Sequence, residues 1–122
     1  MVQLPTRYRQ FRREFPAISQ AFDEVSRLTG EAGPLDEKQT QLVRLAMAIG
    51  AGQEGAVHSH VRRALEAGAT RDELRQVGLL ALTTLGFPTM IMGMTWIDDI
   101  IQSVISLMNF AFWPVFSRCS RT

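Results

Sequence analysis

At 122 residues the chain is the size of one domain, with a core that is small relative to its surface. A hydrophobic share of 46% excludes a disordered chain, and a formal net charge of +1 without a dominant basic cluster gives no basis for nucleic-acid binding. The single cysteine, Cys119, excludes an intramolecular disulfide and fits a reducing, cytoplasmic compartment.

Met1–Arg9 lacks the apolar core of a signal peptide, which argues against export. Thr6 to about Phe15 reads as a short basic amphipathic helix stopped by Pro16. Pro16 suits the first position of a second helix, which runs to about Thr29 and ends at Gly30. Glu31–Pro34 is a loop. Asp36 caps a third helix, with Gln39 as its capping-box partner, and that helix runs to about Ile49. Leu42, Val43, Leu45, Ala46, Met47 and Ile49 make most of its circumference apolar, which predicts a central buried helix.

Gly50 and Gly52 break it, and a fourth helix follows from near Gly52 to Gly68. Thr70 and Glu73 form a second capping box, opening a fifth helix from Arg71 to about Leu85. Gly86 and Pro88 separate it from a sixth, Met90 to about Asn109, kinked or stopped before Pro114. No strand alternation or hairpin turn occurs. The prediction is one all-α domain over residues 1–122, a bundle of about six helices.

Charge is unevenly spread. No charged residue lies between Arg75 and Asp98, and none between Ile100 and Ser117. Ile100–Ser117 is about the minimum length of a membrane span, yet it contains Gln102, Ser103, Ser106, Asn109 and Pro114. Burial between subunits is the better reading, and no membrane association is expected. The uncharged stretches, in a domain too small to bury them all, predict a homo-oligomer. An uncovered Phe110, Phe112, Trp113 and Phe116 would form an aromatic patch that calls for a partner surface.

On a helical wheel with about 100° per residue, Gln53, Val57, His60, Val61, Ala64 and Ala67 share one arc of the fourth helix. Ser59, Arg62, Arg63 and Glu66 lie opposite. Small residues flanking the Gln53–His60 pair leave room for a pocket; the plainer alternative is a histidine bonded to a core carbonyl. His58 and His60 are two apart and project about 160° from each other, so one metal ion cannot be held by both, and no metal is expected. Glu54, His58 and Arg62 form a stripe that reads either as an exposed ion-pair ladder or, for Glu54, as a pocket rim. Gly55 inside a helix costs roughly 1 kcal/mol relative to alanine, which suggests close approach by a substrate or a neighbouring helix. Gln41 sits on the apolar third helix and needs partners, for which Gln53 or His60 would serve.

Several segments in combination carry a resemblance. They are Leu35-Asp36-Glu37-Lys38, Glu54-Gly55, His60 eight residues before Gly68, Gly86-Phe87-Pro88 and Trp96-Ile97-Asp98-Asp99. From about Leu35 to Asp99 the chain closely resembles the carboxymuconolactone decarboxylase family, which has an alkylhydroperoxidase-D-like fold. The family's redox branch carries Cys-x-x-Cys-x-x-x-His in this helix, and the two cysteine positions here hold Gln53 and Ala56. Its glutamate, twelve residues before the first cysteine, falls on Gln41. Peroxidase chemistry needs a thiolate near a base, so the resemblance favours the decarboxylase-like branch. That branch's known activity converts 4-carboxymuconolactone to an enol-lactone of 3-oxoadipate, in aromatic breakdown.

The resemblance implies a cofactor-free lyase acting on a small carboxylated lactone or related anionic metabolite. His60 and Glu54 are the candidate catalytic residues, with His60 as acid or hydrogen-bond donor. Gln53 and Gln41 would donate hydrogen bonds, and Arg44 and Arg63 would hold an anionic substrate. A trimer, or a hexamer built from trimers, is implied as well. A non-catalytic oligomeric protein that binds a small ligand is the alternative.

Overall fold

Two capping boxes and a set of glycine breaks divide the chain into helices α1 (Thr6–Glu14), α2 (Pro16–Glu31), α3 (Glu37–Gly50), α4 (Glu54–Glu66), α5 (Arg71–Thr84) and α6 (Phe87–Cys119). The computed structural model describes residues 6–119, with side-chain surroundings as far as residue 108. Expectations for Phe110, Phe112, Trp113, Phe116 and Cys119 as side chains therefore lie outside the described residues. Among the described residues there is no strand, and the all-α expectation holds.

Both capping boxes form. Asp36 accepts from the Gln39 amide while Gln39 accepts from the Asp36 amide, and Thr70 and Glu73 make the same exchange. Lys38 and Glu73, 3.1 Å apart, then tie the first turn of α3 to that of α5. Gly52 adopts φ +67° between α3 and α4, a left-handed conformation that side chains resist. This turn lets α4 fold back along α3.

The core lies among α3, α4, α5 and α6. Its largest fully buried side chains are Leu45, Ile49, Val57, Val61, Leu74 and Ile97. Two glycines bring α6 close to its neighbours. A Cβ on Gly78 of α5 would stand 2.6 Å from Met94 Sδ, and one on Gly93 of α6 would stand 2.9 Å from Ile49 Cγ2. By contrast, α1 packs on α2, and α2 adds only Ser19 to the buried residues. Its apolar stripe of Ile18, Phe22 and Val25 is 57–65% exposed.

Three expectations need correction. α3 is not buried all round: Leu45, Ala48 and Ile49 are buried, but Val43 and Met47 are exposed, because α2 stands off that side. α2 continues through Gly30 to Glu31, since its last turn is held from α3 by Arg44, whose Nη2 bonds Thr29 Oγ1 at 3.0 Å. α6 begins at Phe87 rather than Met90 and continues past Asn109 and Pro114 to Cys119. Proline in the first turn removes no intrahelical bond, and a later proline removes one while leaving the rest of the ladder.

By length and composition, Phe87–Met108 could cross a membrane. It is also the central core helix, burying Met90, Gly93, Ile97, Ile100 and Ile101 against α3, α4 and α5.

Candidate functional site

His60 is half-buried on α4 and faces α3. Its Nδ1 lies 2.9 Å from Oε1 of Gln41, a side chain only 2% exposed. The Gln41 amide nitrogen in turn donates to Glu37 Oε1 at 2.9 Å. This chain fixes a tautomer. A carboxylate only accepts, so Gln41 turns its NH₂ to Glu37 and its carbonyl to His60, which must then donate from Nδ1. Neutral His60 thus keeps its Nε2 lone pair free. Burial pushes the imidazole below the ordinary histidine range, and the charges of Arg63 and then Arg44 push it the same way.

A cleft of about 680 Å³ opens beside His60. α2 contributes Phe22 and Val25, α3 contributes Arg44 and Met47, and α4 contributes Ala56 and His60. Gln53, Gly55, Arg62 and Arg63 complete the part nearest the imidazole. No aspartate or glutamate lines it, so three arginines face a largely apolar wall without a compensating acid. A second cleft, of about 570 Å³, lies across Arg44 and Arg63 and is balanced in charge. Its lining carries Arg12, Arg27, Arg44 and Arg63 together with Asp23, Glu31, Glu37 and Glu66.

The predicted site residues separate into two groups. His60, Gln53, Arg44 and Arg63 line the larger cleft, with the buried Gln41 directly behind His60 and bordering the second cleft. Gln53 is the N-cap residue of α4, without a side-chain cap bond. Its side chain is not the partner of Gln41; His60 and Glu37 are. Arg44 is partly committed to structure, donating to the Ser26 carbonyl and the Thr29 hydroxyl, both at 3.0 Å.

Glu54 does not join them. It lies with His58 and Asp99 at the α4–α6 junction, where the donor atoms of all three fall within 4.8 Å of one another. His58 Nε2 sits 3.4 Å from Asp99 Oδ2. The opposed directions of His58 and His60 are those expected of residues two apart on a helix. Gly55 meets no neighbouring helix, since a Cβ there would touch nothing within 4 Å; it borders the cleft instead.

Glu37, Arg62, Phe22 and Val25 do not read as site residues from the sequence. Glu37 had a readable signal, standing four residues before Gln41 on the same helix face. Helical spacing puts Arg62 in the polar stripe with Glu54 and His58, yet it lines the cleft, and burial pulls its guanidinium below its ordinary value. Phe22 and Val25 had no signal, because which helix roofs the cleft is a tertiary fact.

No curated protein matches the chain significantly. The fold is similar to that of a crystal structure of an apo carboxymuconolactone decarboxylase family protein from Legionella pneumophila. The match has a TM-score of 0.69 and 24% identity, covering 80% of this chain and 87% of that one. The sequence profile of the carboxymuconolactone decarboxylase family matches residues 16–99, from the start of α2 to the buried half of α6, and so includes His60, Gln41 and the cleft. The match extends well before Leu35, where the recognisable motifs begin. On that span the chain belongs to the carboxymuconolactone decarboxylase family.

Proposed function

We propose that the protein is a cofactor-free carboxy-lyase acting on a small carboxylated lactone or a related anionic metabolite, with His60 as the proton donor. The observation that carries this reading is the Gln41-bonded His60, with Nε2 left free at a cleft that has three arginines and no acid.

Loss of CO₂ from a carboxylate leaves an electron pair that must spread into a neighbouring carbonyl, and the resulting enolate then needs a proton. Burial, and then the charges of Arg63 and Arg44, disfavour the protonated imidazole of His60. A docked carboxylate reverses that balance, because an adjacent negative charge favours the imidazolium. The bound substrate thereby creates its own acid. CO₂ departs, Nε2–H gives its proton to the enolate carbon, and His60 regains a proton from water. Arg63 and Arg62 would hold the anionic group, and Gln53, which lines the cleft, would donate to the developing oxyanion.

Peroxidase chemistry is disfavoured, since Gln53 and Ala56 occupy the thiol positions of the redox branch. The exposed apolar residues Leu79, Leu80, Phe87 and Ile91 support a homo-oligomer, a trimer or a hexamer built from trimers. The test is turnover of 4-carboxymuconolactone by purified protein, followed by CO₂ release. Turnover abolished in His60→Asn and retained in His58→Asn supports the lyase. Ligand binding without turnover in the parent protein would leave the non-catalytic binding protein as the reading.

A further inference from the structure

The larger cleft joins a basic end to an apolar wall. Its volume of about 680 Å³ falls in the range of sites that enclose drug-sized ligands, roughly 300–1,000 Å³. Its walls divide into two parts. Toward α4 stand Arg62 and Arg63, neither of which has a carboxylate partner among the described residues, and the Arg62 Nε is buried without a hydrogen-bond partner. Toward α2 and α3 stand Phe22, Val25 and Met47, which are 57–68% exposed although they face one another across the cleft. Apolar side chains so placed remain wet unless something apolar lies between them.

We propose that this cleft binds a carboxylate carried on an extended apolar body, a medium-chain alkanoate or an acid of similar length, with the head at Arg62 and Arg63 and the tail between α2 and α3. Charge complementarity selects the head: an acid-free cleft with two uncommitted guanidinium groups favours an anion, and guanidinium matches a carboxylate in bidentate geometry. The wall selects the tail. A short, polar acid would meet the arginines but leave Phe22, Val25 and Met47 in water. The inference rests on reading this cleft as the functional site. Binding is measured without turnover, so the two readings fail separately.

The experiment is calorimetric titration of the full chain with butanoate, hexanoate, octanoate and decanoate, and with decanol as a neutral control. Each added methylene should tighten binding roughly two- to fourfold until the cleft is filled. Decanol should bind at least tenfold more weakly than decanoate. The Arg62→Met/Arg63→Met double variant should lose at least tenfold in decanoate affinity while its preference for longer chains persists. Val25→Glu changes an exposed position and places an anion in the cleft; it should abolish decanoate binding with the melting curve unchanged.

Affinity independent of chain length would overturn the proposal, as would decanol binding as tightly as decanoate. Absence of binding by any of these probes in a sedimenting oligomer would overturn it too, and would assign the apolar wall to a second copy of the chain. Chain-length-dependent binding without lactone turnover would keep the proposal and remove the lyase; lactone turnover without chain-length dependence would do the reverse.

Discussion

Gln41 and His60, nineteen positions apart in sequence, meet at 2.9 Å, and the buried amide decides which imidazole nitrogen carries the proton. The direction of that amide is set from outside by Glu37. Glu37→Ala should free Gln41 to rotate, so that the Nε2–H tautomer of His60 becomes populated. Long-range ¹H–¹⁵N correlation of the imidazole reads this directly; a parent protein without a dominant Nδ1–H form would refute the chain. Gln41→Leu should in addition cost about 1–2 kcal/mol of stability by stranding the Nδ1–H.

His60 also links stability to pH. Its folded pKa lies below its ordinary value through burial first and then Arg63 and Arg44. Between the folded value and about 6.5 the unfolded chain therefore binds more protons, and stability rises with pH across that window. It is lost as pH falls below about 6.5 and levels off under the folded pKa. Denaturant unfolding from pH 5 to 8 should show this slope in the parent and a shallower one in His60→Asn. Parallel slopes would contradict it.

Two glycines should respond oppositely to alanine. At Gly93 a Cβ would lie 2.9 Å from Ile49 Cγ2 and 3.2 Å from its Cδ1, on a β-branched side chain that is 1% exposed. Gly93→Ala should therefore destabilise by about 1–3 kcal/mol, despite the helix-propensity gain. At Gly55 nothing lies within 4 Å, so Gly55→Ala should stabilise by up to about 1 kcal/mol. Because Gly55 borders the cleft, the same change should weaken ligand binding. Thermal melts and titrations of the pair check both signs.

Assembly is the fourth expectation. Sedimentation at micromolar concentration should give a trimer or hexamer, and a monomer would refute it. Deletion after Asp99, a natural cut from the sequence alone, would remove Ile100 and Ile101 from the core. Truncation after Met108 keeps both, so it should preserve the fold while weakening assembly. Unchanged size after that truncation would show that the tail takes no part.

The sequence was most informative where local chemistry decides the outcome. Asp36 with Gln39 and Thr70 with Glu73 announce helix starts because a capping box is completed within four residues. His60 was legible from its helical arc, and Gln41 from the need of a buried amide for partners. Glu54 was misplaced because an i, i+4 neighbour of His58 follows His58 to α6, and only tertiary packing tells which histidine faces the cleft. α3 was overestimated as a core helix for a similar reason. Hydrophobic count says that Met47 seeks cover, but not whether a helix, a ligand or another subunit provides it.

Arg44 anchors α2 to the rest of the molecule through Ser26 and Thr29, while the core of Leu45, Ile49, Val57, Val61, Leu74 and Ile97 draws nothing from α2. The apolar wall that α2 gives the cleft and the side chains that hold the core are thus written in separate stretches of chain. Substitutions at Phe22 and Val25 can reshape ligand preference while drawing little on folding stability. A library confined to those positions, with α3–α6 left intact, is a direct route to new specificities on this scaffold.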